Sequence, residues 1–142
     1  MIVELHFEDT NVLDLNPELF VSWLSEVCAI EGCELGNLNL ICCSDAYLLD
    51  INVKYLNHDY FTDIITFDYS DDLISGDLFI SIDRVRENAT DNSLTFNVEF
   101  LRVVVHGVLH LLGYGDKTPK EALMMRTLED KYLSIVPRET ID

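Results

Sequence analysis

Short apolar stretches separated by polar turns occur four times along the chain. The first alternates apolar and polar residues (I-V-E-L-H-F), which places its apolar side chains on one face of a strand. The others are short and rich in β-branched or other apolar residues, as buried strands are. The pattern predicts strands at residues 2–7, 38–43, 63–67 and 78–82.

Apolar residues at helical spacing, flanked by capping residues, predict five helices. Asn16 and Pro17 are typical of an N-cap and a first helical residue. Thr118 and Glu121 form the pattern of a capping box, and Gly113 has the usual position just beyond a helix end. The predicted helices are residues 17–30, 45–56, 83–90, 95–112 and a last one from residue 119. The tail after Pro137 is predicted to lack regular structure.

The order of these elements predicts the fold class. A strand, a helix, a strand, a helix, two strands and then helices follow one another. This order is typical of an α+β fold in which helices pack on a four-stranded, mostly mixed sheet. Because no boundary interrupts residues 1–142, we expect a single domain with about five helices.

The composition is strongly acidic. The chain has 9 lysines and arginines against 26 aspartates and glutamates, a formal net charge of −17. Such a charge disfavours nonspecific binding of nucleic acid, which depends on basic side chains that neutralise phosphates. We interpret it as a solubilising surface. Since the sequence has neither a secretory signal nor an apolar run of about 18 residues, we expect a cytoplasmic protein without a membrane segment.

The four cysteines show no metal-binding or disulfide pattern. Cys28, Cys33, Cys42 and Cys43 contain no C-x-x-C pair, and the last two point to opposite faces of a predicted strand. A cytosolic chain keeps its thiols reduced. We expect all four to be small side chains in or near the core.

The stretch from Val103 to Asp116 carries the candidate chemistry. His106 and His110 are four residues apart on a predicted helix, so their imidazoles lie on one face. Gly113 lets the chain reverse and bring Asp116 within reach of that face. Core packing is the simpler interpretation of such a histidine pair, but buried imidazoles without partners are costly. We predict one divalent ion bound by His106, His110 and Asp116, with a coordination position left open as in catalytic sites.

Two neighbouring residues bear on the type of reaction. Zinc peptidases of the H-E-x-x-H type have a general-base glutamate where this chain has Gly107, so a peptidase needs a carboxylate from elsewhere. Arg102 lies one helical turn before His106, where a cation suits an anionic substrate such as a phosphodiester. The alternative interpretation of Arg102 is a solvated arginine at a helix end.

Three blocks of sequence, in order, resemble those of one known family. They are an Asn-x-x-Tyr…Asp-x-x-Thr-Asp pattern within residues 51–67, S-G-D-L-F-I at residues 75–80, and H-G-V-L-H-L-L-G-Y-G-D at residues 106–116. The last is similar to the signature H-G-x-L-H-L-x-G-Y-D-H of the YbeY family, the bacterial endoribonucleases of ribosomal-RNA maturation. The chain length also fits that family.

The resemblance implies a function and a cofactor. It implies a metal-dependent endoribonuclease that cuts single-stranded RNA at the 3′ end of small-subunit ribosomal RNA and serves ribosome quality control. One Zn²⁺ or other divalent ion per chain is implied, with ribosomal RNA and the ribosome or its proteins as partners. The family's metal ligands fall on His106 and His110, and its third, a histidine, falls on Asp116. A carboxylate there adds negative charge, which makes the ion a weaker Lewis acid and favours harder ions.

The sequence offers several candidates for the catalytic residue and assigns none of them. The family's arginine in the first block falls on Leu56, which can neither hold a phosphate nor stabilise an oxyanion. Arg102, Lys54 and His58 are the candidates to take over that role. Two aspartates, Asp63 and Asp77, are candidates to orient ligands or fix loops, with capping of turns as the simpler role.

Two other functions compete with the nuclease. One is a non-catalytic ribosome assembly factor with a structural metal, whose acidic surface contacts basic ribosomal proteins; Leu56 in place of arginine favours it. The other is a metallohydrolase of a different class. The sequence does not indicate the oligomeric state.

Overall fold

A four-stranded mixed sheet forms the centre of the molecule in the computed structural model, which describes residues 1–137. The strands lie in the order β1-β2-β4-β3. β1, β2 and β4 are parallel, and β3 runs antiparallel to β4. The predicted α+β class and mixed sheet are therefore confirmed. The strands are β1 (Ile2–Phe7), β2 (Leu35–Cys43), β3 (Ile64–Asp68) and β4 (Ile74–Ser81).

The five predicted helices are all present within the described residues. They are α1 (Pro17–Ile30), α2 (Asp45–Leu56), α3 (Ile82–Asp91), α4 (Phe96–Leu111) and α5 (Pro119–Leu133). The predicted caps explain where two of them begin. The Asn16 side chain accepts a hydrogen bond from the backbone N–H of Glu18, and Thr118 and Glu121 form the capping box. The predicted tail after Pro137 lies outside the described residues.

None of these described helices is by itself long and apolar enough to cross a membrane. Helices α3 and α4 reach that length and apolarity only as a pair, by composition alone, and the chain bends by 116° between them.

Two strand boundaries differ from the prediction by more than one residue. β2 begins at Leu35 and β4 at Ile74, three and four residues earlier than expected. The first residues of both strands include polar side chains, so the sequence pattern did not indicate that they belong to strands. Asn39 of β2 and Asp77 of β4 are register partners, and the Asn39 Nδ2 donates a hydrogen bond to the Asp77 Oδ1 at 2.9 Å. β4 ends at Ser81, because the side chain of this residue caps α3.

The sheet is covered on both faces. Helices α1, α4 and α5 pack with the main core on one face, where Leu78 and Ile80 of β4 point. A smaller cluster on the other face contains Leu48 of α2 and Ile65 of β3. Gly107 lets α4 approach the sheet closely, since a Cβ there would lie 2.7 Å from the Ile64 Cδ1. This approach fixes the helix that carries both candidate histidines.

The cysteines follow the prediction with one exception. Cys28, Cys42 and Cys43 are buried and free. Burial raises the pKa of Cys28 to about 11 and the pKa of Cys42 and Cys43 to about 12. The prediction was wrong for Cys33, which is exposed because it follows the left-handed turn at Gly32 that ends α1.

Candidate metal centre

The structure brings the three predicted ligands together. The Nε2 atoms of His106 and His110 are 2.9 Å apart. The Oδ2 of Asp116 lies 3.2 Å from the first and 3.4 Å from the second. One donor atom from each residue therefore faces the same small space, at the end of α4.

A short loop returns Asp116 to this position. Gly113 has a φ of +103°, a left-handed conformation that glycine adopts without strain. The backbone N–H of Tyr114 then donates to the Leu109 carbonyl at 3.0 Å. The phenol hydroxyl of Tyr114 donates to the Glu31 carboxylate at 2.5 Å. The capping box of α5 closes the other end of the loop. The loop is thus pinned on both sides of the candidate ligand.

The hydrogen bonds of the two Nδ1 atoms determine whether the Nε2 atoms of the imidazoles carry a proton. The His110 Nδ1 lies 2.9 Å from the Tyr114 carbonyl oxygen, which can only accept, so this nitrogen carries the proton. The His106 Nδ1 lies 2.7 Å from the Glu129 carboxylate and is a donor for the same reason. Both Nε2 atoms of the neutral rings therefore present lone pairs.

This donor set fits a divalent cation. Two lone pairs that face each other at 2.9 Å repel, and a carboxylate oxygen beside them adds negative charge. A cation among the three donors satisfies all of them. Histidine ligands held from behind by a carboxylate and a carbonyl are the usual arrangement around zinc.

Glu129 of α5 is a residue of the candidate centre that the sequence analysis missed. Its side chain is 7% exposed and joins His106 to Arg102, whose guanidinium donates to the Glu129 Oε1 at 3.0 Å. Burial acts to raise the pKa of Glu129, but the hydrogen bonds from His106 and Arg102 outweigh it and lower the pKa. One sequence signal existed, since Glu129 lies at helical spacing from the buried Met125 and Tyr132.

Two ion pairs to α5 hold Arg102, whose contact with an anionic substrate stays a prediction. Its side chain is 14% exposed, and it also donates to the Asp130 Oδ1 at 2.8 Å. It is therefore not a solvated arginine at a helix end. Nor is it a free cation, because both guanidinium NH₂ groups are engaged by carboxylates of α5.

The electrostatic field around His106 is negative. Burial disfavours the charge on this imidazole, but the Glu129 hydrogen bond and the charges of Glu129, Asp63 and Asp116 outweigh it and raise the pKa of His106. Burial also raises the pKa of Asp63. Of the two candidate aspartates, only Asp63 belongs to this site; Asp77 pairs with Asn39 and lines a cavity beneath α2.

Two cavities meet at the candidate ligands. The larger, about 560 Å³, extends from His106 and His110 towards Leu56, His58 and Tyr60. The smaller, about 280 Å³, extends along α5. Asp63, His106 and Asp116 line both cavities. Of the candidates to replace the family arginine, His58 lies in this cleft, whereas Lys54 pairs with Asp50 at 3.0 Å and lies outside the lining.

The fold and these donor atoms define a class: a small α+β protein with a candidate divalent-metal centre inside an open cleft. The chain matches the family model described as Endoribonuclease YbeY over residues 6–136. It belongs to the YbeY family, which confirms the resemblance of its sequence blocks.

Curated relatives and a solved structure agree with this membership. A relative from Flavobacterium psychrophilum named Endoribonuclease YbeY is 50% identical over 117 residues, 82% of this chain and 84% of the relative. One of the same name from Bacteroides thetaiotaomicron is 43% identical over 136 residues, 95% of this chain and 99% of the relative. The solution structure of TM1509 from Thermotoga maritima is similar with a TM-score of 0.69 and 27% identity, covering 95% of this chain and 89% of that one.

Proposed function

We propose that the chain is a metal-dependent endoribonuclease that cuts single-stranded RNA during ribosomal-RNA maturation. The observation that carries this function is the convergence of two imidazole Nε2 atoms and one carboxylate oxygen inside an open cleft. The family and the names of its relatives supply the reaction class. We further propose cleavage near the 3′ end of small-subunit RNA, a part in ribosome quality control, and cytoplasmic action with the ribosome or its proteins as partners.

His106, His110 and Asp116 would hold the ion, and we propose Zn²⁺ as its identity. A divalent ion bound there supplies Lewis acidity and makes its bound water more acidic. The Glu129 carboxylate and the Tyr114 carbonyl keep the imidazoles oriented by accepting their Nδ1 protons. Asp63 adds negative charge beside His106, which favours a cation at this position.

Contacts to the phosphate backbone require cations that are near the ligands. Arg102 is held by two carboxylates, and Leu56 is apolar. Among the described residues, the other basic side chains that line the two cavities are Lys117 in the larger and Arg126 in the smaller. Arg126 is 61% exposed, and its contact with Glu129 is long, at 3.7 Å. We assign Lys117 and Arg126 to contacts with RNA phosphates.

The assembly-factor alternative keeps one observation in its favour. The position at which the family has an arginine is Leu56, at the wall of the cleft. The peptidase alternative gains no support, because Gly107, which packs against Ile64 and Leu78 of the sheet, supplies no general base.

Cleavage of single-stranded RNA before and after metal removal tests the proposed function. Chelation should abolish cleavage, and one equivalent of Zn²⁺ should restore it. His110→Ala should stay inactive under every metal loading and controls for contaminating nuclease. A protein that binds one ion and cuts no RNA with any divalent metal would be an assembly factor instead.

A further inference from the structure

The cleft carries an aromatic pair that the proposed metal chemistry leaves unused. The rings of His58 and Tyr60 are stacked, with centroids 5.2 Å apart and planes inclined by 20°. The Tyr60 Oη and the His58 Nδ1 are 3.0 Å apart, so the pair is also hydrogen-bonded. Both residues line the larger cavity together with His106 and His110, and Tyr60 is 56% exposed.

The backbone holds this pair in place. Asn57 ends α2 in a left-handed conformation with a φ of 56°. The N–H of His58 then donates to the Asn52 carbonyl at 3.0 Å, and the Asn52 side-chain amide donates to the Tyr60 carbonyl at 2.9 Å. Asn52 is 2% exposed, so one buried residue fixes the loop from both sides. Rings that are held in advance lose little freedom when a planar ligand stacks on them.

The chemistry of the cavity fits a nucleobase better than it fits a series of phosphates. Among the residues that the structure describes, three aspartates line this cavity, Asp63, Asp68 and Asp116, and Lys117 is the one lysine or arginine that does so. An unpaired base is neutral and planar, and proteins bind single-stranded RNA by stacking such bases on tyrosine or histidine rings. Leu56, 42% exposed, adds an apolar surface on the same wall.

We infer that His58 and Tyr60 form a nucleobase subsite, which stacks one unpaired base of the RNA strand whose backbone reaches the metal ligands. This inference rests on the proposed function and names the part of the substrate that the cleft recognises. It explains how an acidic cleft selects single-stranded RNA: a base in a duplex is stacked on its neighbours and cannot enter.

Single abasic substitutions in an RNA substrate, combined with variants of Tyr60, test the subsite. With the wild type, an abasic nucleotide at one position near the cut should raise KM about tenfold, the effect of losing one base stack. Tyr60→Ala should raise the KM for intact RNA by a similar factor, and the abasic nucleotide should then add nothing. Tyr60→Phe keeps the ring and should behave as the wild type. Tyr69→Ala is the matched control, because Tyr69 is similarly exposed, at 61%, and lines the cavity beneath α2.

The outcomes separate the subsite from the nuclease function. If the wild type cuts RNA and Tyr60→Ala has the same KM, with the abasic effect intact, the subsite is wrong and the nuclease stands. If the wild type cuts no RNA, the nuclease is wrong, and fluorescence anisotropy with the same oligonucleotides decides the subsite. In that assay, roughly tenfold weaker binding by Tyr60→Ala than by Tyr69→Ala supports the subsite, and equal binding overturns it. Thermal melts by circular dichroism confirm that each variant is folded.

Discussion

The candidate centre depends on residues behind the ligands as much as on the ligands themselves. His106 is oriented by Glu129, and Glu129 is held in turn by Arg102. The carboxylate is almost buried, so it keeps its charge only because two donors contact it. The contribution of Glu129 to metal affinity can therefore be tested while all three candidate ligands stay unchanged.

Glu129→Gln should weaken metal binding about tenfold, because the loss of such a partner behind a histidine ligand typically costs 10- to 100-fold in affinity. Competition with a chromophoric chelator measures this. Asp130→Asn is the control, since Asp130 also accepts a hydrogen bond from Arg102 but its side chain is exposed. Equal metal affinities of the two variants and the wild type would show that Glu129 does not support the site.

The thiols provide a test of burial at single residues. In the folded protein, one thiol should react with a disulfide reagent such as DTNB, because Cys33 is exposed and the three others are buried with raised pKa values. Four should react after unfolding in guanidinium. Cys33→Ser should remove the fast reaction; a fast reaction that persists in this variant would place another cysteine at the surface.

At the scale of elements, α4 is positioned by close contacts with the sheet. Gly76 of β4 lies where the strand passes both β3 and the last turn of α4. A Cβ at Gly76 would lie 2.5 Å from the Phe67 carbonyl oxygen and 3.0 Å from the Leu111 Cδ2. The candidate ligand His110 is the residue before Leu111, so this contact bears on the geometry of the candidate metal centre.

Gly76→Ala should lower the free energy of unfolding by about 1–3 kcal/mol, the usual cost of overpacking, because backbone atoms have to move. Urea unfolding measures it. Gly115→Ala should cost less, since a Cβ there would meet the carboxylate of Glu121, the end of a flexible side chain. A Gly76→Ala protein as stable as the wild type would mean that β3, β4 and α4 are packed less tightly than described.

The elements also show what the sequence could and could not reveal. The starts of α1 and α5 were predictable because Asn16 and Thr118 are N-cap residues that the neighbouring sequence identifies. The start of β4 was not, because Ser75 and Asp77 are polar and their place in the ladder depends on pairing with β2. The three candidate ligands lie within eleven residues and were found from spacing alone. Glu129 and Asn52 reach the cleft through tertiary contacts, which spacing does not reveal.

At the scale of the whole molecule, the acidity extends into the cleft. The chain has a net charge of −17, and aspartates outnumber lysines and arginines among the described residues that line the larger cavity. A bound divalent ion offsets part of this charge. RNA binding should therefore rely on the ion, on the stacked base and on few phosphate contacts.

The salt dependence of RNA binding tests this picture. With Lys117 and Arg126 each neutralising one phosphate, the logarithm of the association constant should fall against the logarithm of salt concentration with a slope of about −1.4. Lys117→Ala combined with Arg126→Ala should bring the slope close to zero. Titrations of single-stranded RNA at constant zinc and several potassium concentrations measure it. A steep slope that survives this double substitution would reveal a basic surface elsewhere.

The central claim is that His106, His110 and Asp116 together hold one divalent ion. Elemental analysis by mass spectrometry of purified wild type, His110→Ala and Asp116→Ala, each loaded with zinc and freed of excess, tests it most directly. We predict about one ion per chain in the wild type and a large loss in both variants, while Tyr69→Phe, altered outside the cleft, retains its ion. A wild type without metal, or variants that bind as much as the wild type, would contradict the assignment.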